Sequence, residues 1–129
     1  MEPEARDEAA RKELLEGIIA RTRRDNARET LARAARLDDA RAEARRLAGE
    51  LAALDGVRRV IHFGSSASGR SFRLDSDIDI AISGGDLLEA MRIVESSRFR
   101  VDIIDIDAVP ALLRAAILQQ GVVLHEKCQ

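Results

Sequence analysis

Apolar residues recur at steps of three and four over Leu37, Ala40, Ala44, Leu47, Leu51 and Leu54, which is one stripe of an amphipathic helix. Asp38 or Asp39 can cap its start, and Gly56 can end it. Upstream, Leu14, Leu15, Ile18 and Ile19 form a second apolar cluster on a helix predicted over about residues 4–24. Asp25 and Asn26 offer a break or a new cap there. Leu31, Ala34 and Ala35 belong to a short helix or a continuation. After Gly56 the pattern shifts to short aliphatic runs separated by turns. Strands are predicted over residues 57–63, 77–82 and 100–106, with a last short one over 122–124. Asp86 caps a helix over about residues 87–96, and Pro110 opens another that Gly121 ends. Helices between strands predict an α/β (α+β) domain with a small mixed sheet.

Composition sharpens the division. The 129 residues carry a net charge of -2, with 46% hydrophobic and 34% charged. The first 56 residues are rich in Ala, Arg, Glu and Leu, all good helix formers, and the rest in Val, Ile and Gly. The chain divides into an N-terminal helical extension, 1–36, and a body, 37–129. Near-cancelling charge gives no field that draws the chain onto nucleic acid. With no Trp, no Tyr and 3 Phe, it lacks the stacking platforms of a single-strand binder. No apolar run is long enough for a membrane span and no signal peptide is visible, so a cytoplasmic protein is expected. The lone Cys128 reads as a reduced thiol without a role.

The chemistry gathers between Phe63 and Ile80. A strand runs into Gly64-Ser65, a loop of Ser, Gly and Arg follows, and then comes Asp77-Ile78-Asp79-Ile80. Period-two alternation puts Asp77 and Asp79 on one face and Ile78, Ile80 and Ile82 in the core. Two carboxylates on one face repel, and a hard divalent cation such as Mg²⁺ offsets the cost. Gly64 lets a phosphate approach the backbone, and Ser65 adds a hydroxyl. A third acid is expected from residues 101–107, where Asp102, Asp105 and Asp107 compete. His62, beside the loop, reads as a core or sheet-face residue. Gly64 to Ser71 falls one residue short of a P-loop, because Arg70 replaces the lysine and a strand follows where a long helix should. Asp75-x-Asp77-x-Asp79 fails as an EF-hand, with Ile80 where glycine is required.

Taken together, Gly64-Ser65, Ser76-Asp77-Ile78-Asp79 and Val101-Asp102 resemble the minimal nucleotidyltransferases of the DNA polymerase β superfamily, over roughly residues 38–126. The resemblance implies transfer of a nucleoside monophosphate, AMP from ATP first among them, to an acceptor hydroxyl with two Mg²⁺ ions. It implies Asp77, Asp79 and Asp102 as catalytic and metal-binding acids, and so favours Asp102 as the third. Gly64, Ser65, Ser66 and Arg70 are the implied nucleotide-binding set. Where the family loop commonly carries arginines, Ser66 and Ser68 stand here, leaving Arg70 or Arg73 to supply a cation. Similar proteins are antitoxins paired with a HEPN-domain partner, and some adenylylate it. The resemblance thus implies a protein acceptor, or alternatively an antitoxin-like module that neutralises a partner by association. The 1–36 extension packs on the body or forms an interface with a partner or a second copy.

Overall fold

The computed structural model describes residues 3–127, so Cys128 lies outside the described residues. The chain divides into two compact units, residues 1–34 and residues 35–129. The element order is α1 (Pro3–Ala52), β1 (Arg59–Phe63), α2 (Ser65–Ser68), β2 (Ile78–Ser83), α3 (Leu87–Glu95), β3 (Val101–Asp105), α4 (Ala111–Gln120) and β4 (Val122–Glu126).

In the first unit the break expected at Asp25–Asn26 does not occur, and those residues are helical. Asp and Asn cost only a fraction of a kcal/mol in a helix, and no proline stands there to stop it. Thr22 and Thr30 send their hydroxyls back to the carbonyls of Ile18 (2.9 Å) and Asn26 (2.8 Å), absorbing groups that could otherwise have capped a new start. Every described side chain from residue 6 to residue 32 is exposed.

In the second unit the predicted strands and the two helices after β2 appear, with ends shifted by one or two residues and one short extra helix, α2, inside the expected loop. The start expected at Asp38 or Asp39 does not occur, since both lie within the unbroken α1, which ends at Ala52, ahead of Gly56. The four strands run in the order β3-β2-β1-β4. β1 is antiparallel to β2 and β4, whereas β2 and β3 are parallel and joined through α3. One face of this mixed sheet carries the main core. Val60, Ile78, Ile80 and Ile82 pack there with Ala40, Ala44, Leu47 and Leu51, the stripe read from the sequence. Asp86 caps α3 through the N–H groups of Leu88 and Glu89. The opposite face is smaller, with Ile61, Ala81, Ile106 and Ile117 of α4 buried together.

A buried polar clamp ties residues 35–52 of α1 to the segment after α3. Glu43, only 7% exposed, accepts from Arg46 at 2.5 and 2.9 Å and from the Ser97 hydroxyl. These donors hold its carboxyl at about 2, well below the usual range, with the Arg46 hydrogen bond the largest cause. Arg36 lies over the Phe99 ring, 3.8 Å from its centroid.

Candidate active site

The strand register assembles the site. Asp79 pairs with Phe63 of β1 on one side and with Asp102 of β3 on the other. Because β2 and β3 are parallel and in register, the two carboxylates leave the sheet on the same face, the one α4 covers. Ile78 and Ile80 fix this choice by being fully buried on the other face. Asp77 sits just before β2 on the same side as Asp79, and it is half-buried. Asp79 is held at about 6, above the ordinary carboxylate value, by burial first and then by the charges of Asp102 and Asp77. Of the three acids weighed in the sequence, Asp102 is the one the register sets beside Asp79. Asp105 pairs with Ile82 at the other end of β3. Asp107 accepts from the Ser83 hydroxyl at 3.0 Å and lies 3.6 Å from Arg58.

Gly64 brings the loop to these acids. Its φ of 77° and ψ of -166° belong to a region that only glycine occupies at low cost. A Cβ here would overlap Asp79 Oδ2 and lie 3.2 Å from its Cγ. Ser65 then opens α2, and Gly69 ends it in the left-handed conformation. Among the turn and loop hydrogen bonds, the N–H groups of Ser65 and Ser66 have no backbone acceptor.

The side chain of Ser66 faces inward. It is fully buried, with Oγ 2.7 Å from His62 Nε2. Only its N–H is left for a ligand. His62 is buried as read, and burial, then Arg41 and Arg45, push its pKa down to about 4, so the ring is neutral. Arg41 donates to the Ala67 carbonyl at 2.8 Å and holds α2 from α1. Neither this arginine nor the His62–Ser66 contact was visible in the sequence, where Arg41 is one of many charges on a helix. Ser68 accepts from the Arg70 N–H at 3.0 Å, and the Arg70 side chain is exposed at the loop. Arg73 is exposed as well, 3.9 Å from Asp75.

A cleft of about 570 Å³ opens beside the acids, lined by Asp79, Asp102, Phe63, Met91, Val94 and Leu113 among others. Among the described residues, no group of three or more His, Cys, Asp or Glu side chains is placed so that it could hold a metal ion. The chemistry of the donors, taken without that convergence, is of the kind a hard divalent cation prefers. The set consists of carboxylates alone, on one face, and Asp79 bears the repulsion of both neighbours.

A Gly-Ser turn set against coupled acids on adjacent strands of a small mixed sheet defines a nucleotidyltransferase-type fold. Residues 46–129 match the polymerase beta, nucleotidyltransferase family model, and the chain belongs to that family. A solved structure provisionally assigned as a minimal nucleotidyltransferase is similar at 29% identity and a TM-score of 0.56, covering 67% of this chain and 93% of that one. A toxin–antitoxin structure with AMP-PNP is similar at 25% identity and a TM-score of 0.49, covering 57% of this chain. The MntA–HepT toxin–antitoxin structure is similar at 20% identity and a TM-score of 0.45. The match spans 64% and 63% of those last two chains. No curated protein matches the chain significantly. Among the described residues, no helix is long and apolar enough to cross a membrane.

Proposed function

We propose that this protein transfers a nucleoside monophosphate, AMP from ATP in the first instance, to a hydroxyl of a partner protein. The observation that carries the reading is the joint placement of Gly64 against Asp79 and of Asp79 beside Asp102. Asp77, Asp79 and Asp102 would hold Mg²⁺, and the ions when bound would supply charge neutralisation at the transferred phosphoryl group. Gly64 lets the turn lie directly against Asp79, where any side chain would collide with that acid. The N–H groups of Ser65 and Ser66 are free to donate to phosphate oxygens. Asp102 has the most exposed position of the three acids and lies beside the cleft through which an acceptor hydroxyl can approach. It would accept that hydroxyl's proton. The resemblance of the motif makes a HEPN-domain protein the first acceptor to try. The test is incubation with that partner, Mg²⁺ and α-labelled ATP. Label should appear on the partner and vanish in Asp77→Asn with Asp79→Asn. Equal labelling by that double variant would overturn the assignment.

A second reading has its own support. Ser66 and Ser68 replace the loop arginines, and Ser66 is turned onto His62. A site with weakened triphosphate affinity would leave an antitoxin-like module that neutralises its partner by association. Calorimetry separates the two. Tight, Mg²⁺-dependent ATP binding abolished by Asp77→Ala excludes a passive role.

A further inference from the structure

We infer that the helical segment 6–27 pairs antiparallel with the same segment of a second copy of this chain. From residue 6 to residue 32 every side chain is exposed, including Leu14 at 66%, Leu15 at 57%, Ile18 at 46% and Ile19 at 41%. Helices draw most of their stability from packing an apolar face, and one this long without a covering is marginal in water. The four apolar residues lie on one side of the helix. They are also symmetric in sequence, Leu14-Leu15-Glu16-Gly17-Ile18-Ile19, about the point between Glu16 and Gly17. A two-fold axis at that point sets Leu15 across from Ile18 and Leu14 across from Ile19, so one block serves both copies.

The charges choose the occupant and its direction. Over the stretch that overlaps, residues 6–16 carry one more acid than base, and residues 17–27 carry two more bases than acids. Antiparallel pairing places each acidic half along a basic half, whereas parallel pairing sets like on like. Within that arrangement Asp7 approaches Arg28 of the second copy and Glu8 approaches its Arg23. Glu8 also lies across from Asp25 and Lys12 across from Arg21, two like-charged layers, the first flanked by Arg23 and Arg28.

The test is sedimentation equilibrium of the full chain. A mass twice that of the chain is expected, and a monomer at roughly 100 µM overturns the inference. Leu15→Glu with Ile18→Glu should give monomers whose body, 35–129, still unfolds cooperatively. A dimer that survives this change uses another surface and overturns it too. Two charge variants fix the direction. Asp7→Lys with Glu8→Lys, and separately Arg23→Glu with Arg28→Glu, should each weaken self-association by roughly tenfold or more. An equimolar mixture of the two should dimerise as tightly as the original chain. A mixture that stays monomeric, or a helix that binds only a different protein, refutes the second copy as its occupant.

Discussion

Replacing Gly64 by alanine tests the site through stability, without needing a substrate. The backbone at Gly64 occupies a conformation essentially restricted to glycine, with φ 77° and ψ -166°. Forcing a side chain to hold it costs about 1–3 kcal/mol. The added Cβ also meets the Asp79 carboxylate, whose Cγ would lie 3.2 Å away, so Asp79 must rotate or the turn must open. Together these give about 2–4 kcal/mol, a large share of the stability of a small domain. The control is the same substitution at Gly49, a helical position where a Cβ meets nothing within 4 Å. Alanine there should stabilise the body by about 0.5–1 kcal/mol through helix propensity. Urea denaturation of both variants, compared at equal m-value, reads the two effects. Opposite signs are expected. A Gly64→Ala protein within about 0.5 kcal/mol of the original would refute the claim that the turn is wedged against Asp79.

Asp79→Asn should remove nucleotidyl transfer and yet stabilise the protein near neutral pH by about 1–2 kcal/mol, after allowing for solvent screening. The sign follows from the raised value. Asp79 destabilises the fold progressively as pH rises from 3.8 to about 6, and stability should dip there in the original chain and not in the variant. Thermal melts across that window decide it. Glu43 has the opposite sign: its stabilisation is complete above 4.5 and lost as pH falls towards about 2. Glu43→Gln should flatten that acid limb and cost about 1–2 kcal/mol at pH 7, because half-exposed Arg46 is screened. Ser66→Ala leaves His62 Nε2 without its buried partner and should cost about 1–2 kcal/mol by denaturant titration. If Ser66→Ala also lowers ATP affinity, the His62 contact positions the loop; an unchanged affinity restricts it to folding. Leu47→Ala, at a fully buried position of the stripe, should cost about 2–5 kcal/mol in the same titration.

The body was legible because period and burial agree. The stripe from Ala40 to Leu51 and the alternation through Ile78, Ile80 and Ile82 each have one face to bury, and both are buried. The N-terminal helix was less legible. Asp25 and Asn26 are good caps, but a cap is used only where the helix gains by restarting, and here flanking Ala, Arg and Leu favour continuation. In the site, Asp77, Asp79 and Gly64 could be read from local order, while the choice of Asp102 needed the register of a strand two elements away. Ser66 shows the limit of reading a motif by position. Its place in the loop suggested a ligand contact, but the side chain is fully buried on His62. Nothing local to Ser66 specifies that outcome, because it depends on where β1 carries His62.

The same alternation explains why such a costly cluster of acids can be held. Slipping β2 by one residue against its neighbours would turn Ile78, Ile80 and Ile82 to the α4 face and drive Asp79 into the main core. An unpaired carboxylate there would cost several kcal/mol, and three isoleucines would lose their packing. Register is therefore fixed from both faces, and the repulsion that raises Asp79 cannot relax by sliding the strand. It can relax only by side-chain rotation, by protonation or by a cation. The main core thus holds Asp79 in a strained electrostatic position and leaves it partly exposed. On this reading Mg²⁺ should raise the melting temperature of the original chain and leave Asp79→Asn nearly unchanged. Equal shifts in both proteins would mean that the ion binds elsewhere and that the acids persist for another reason.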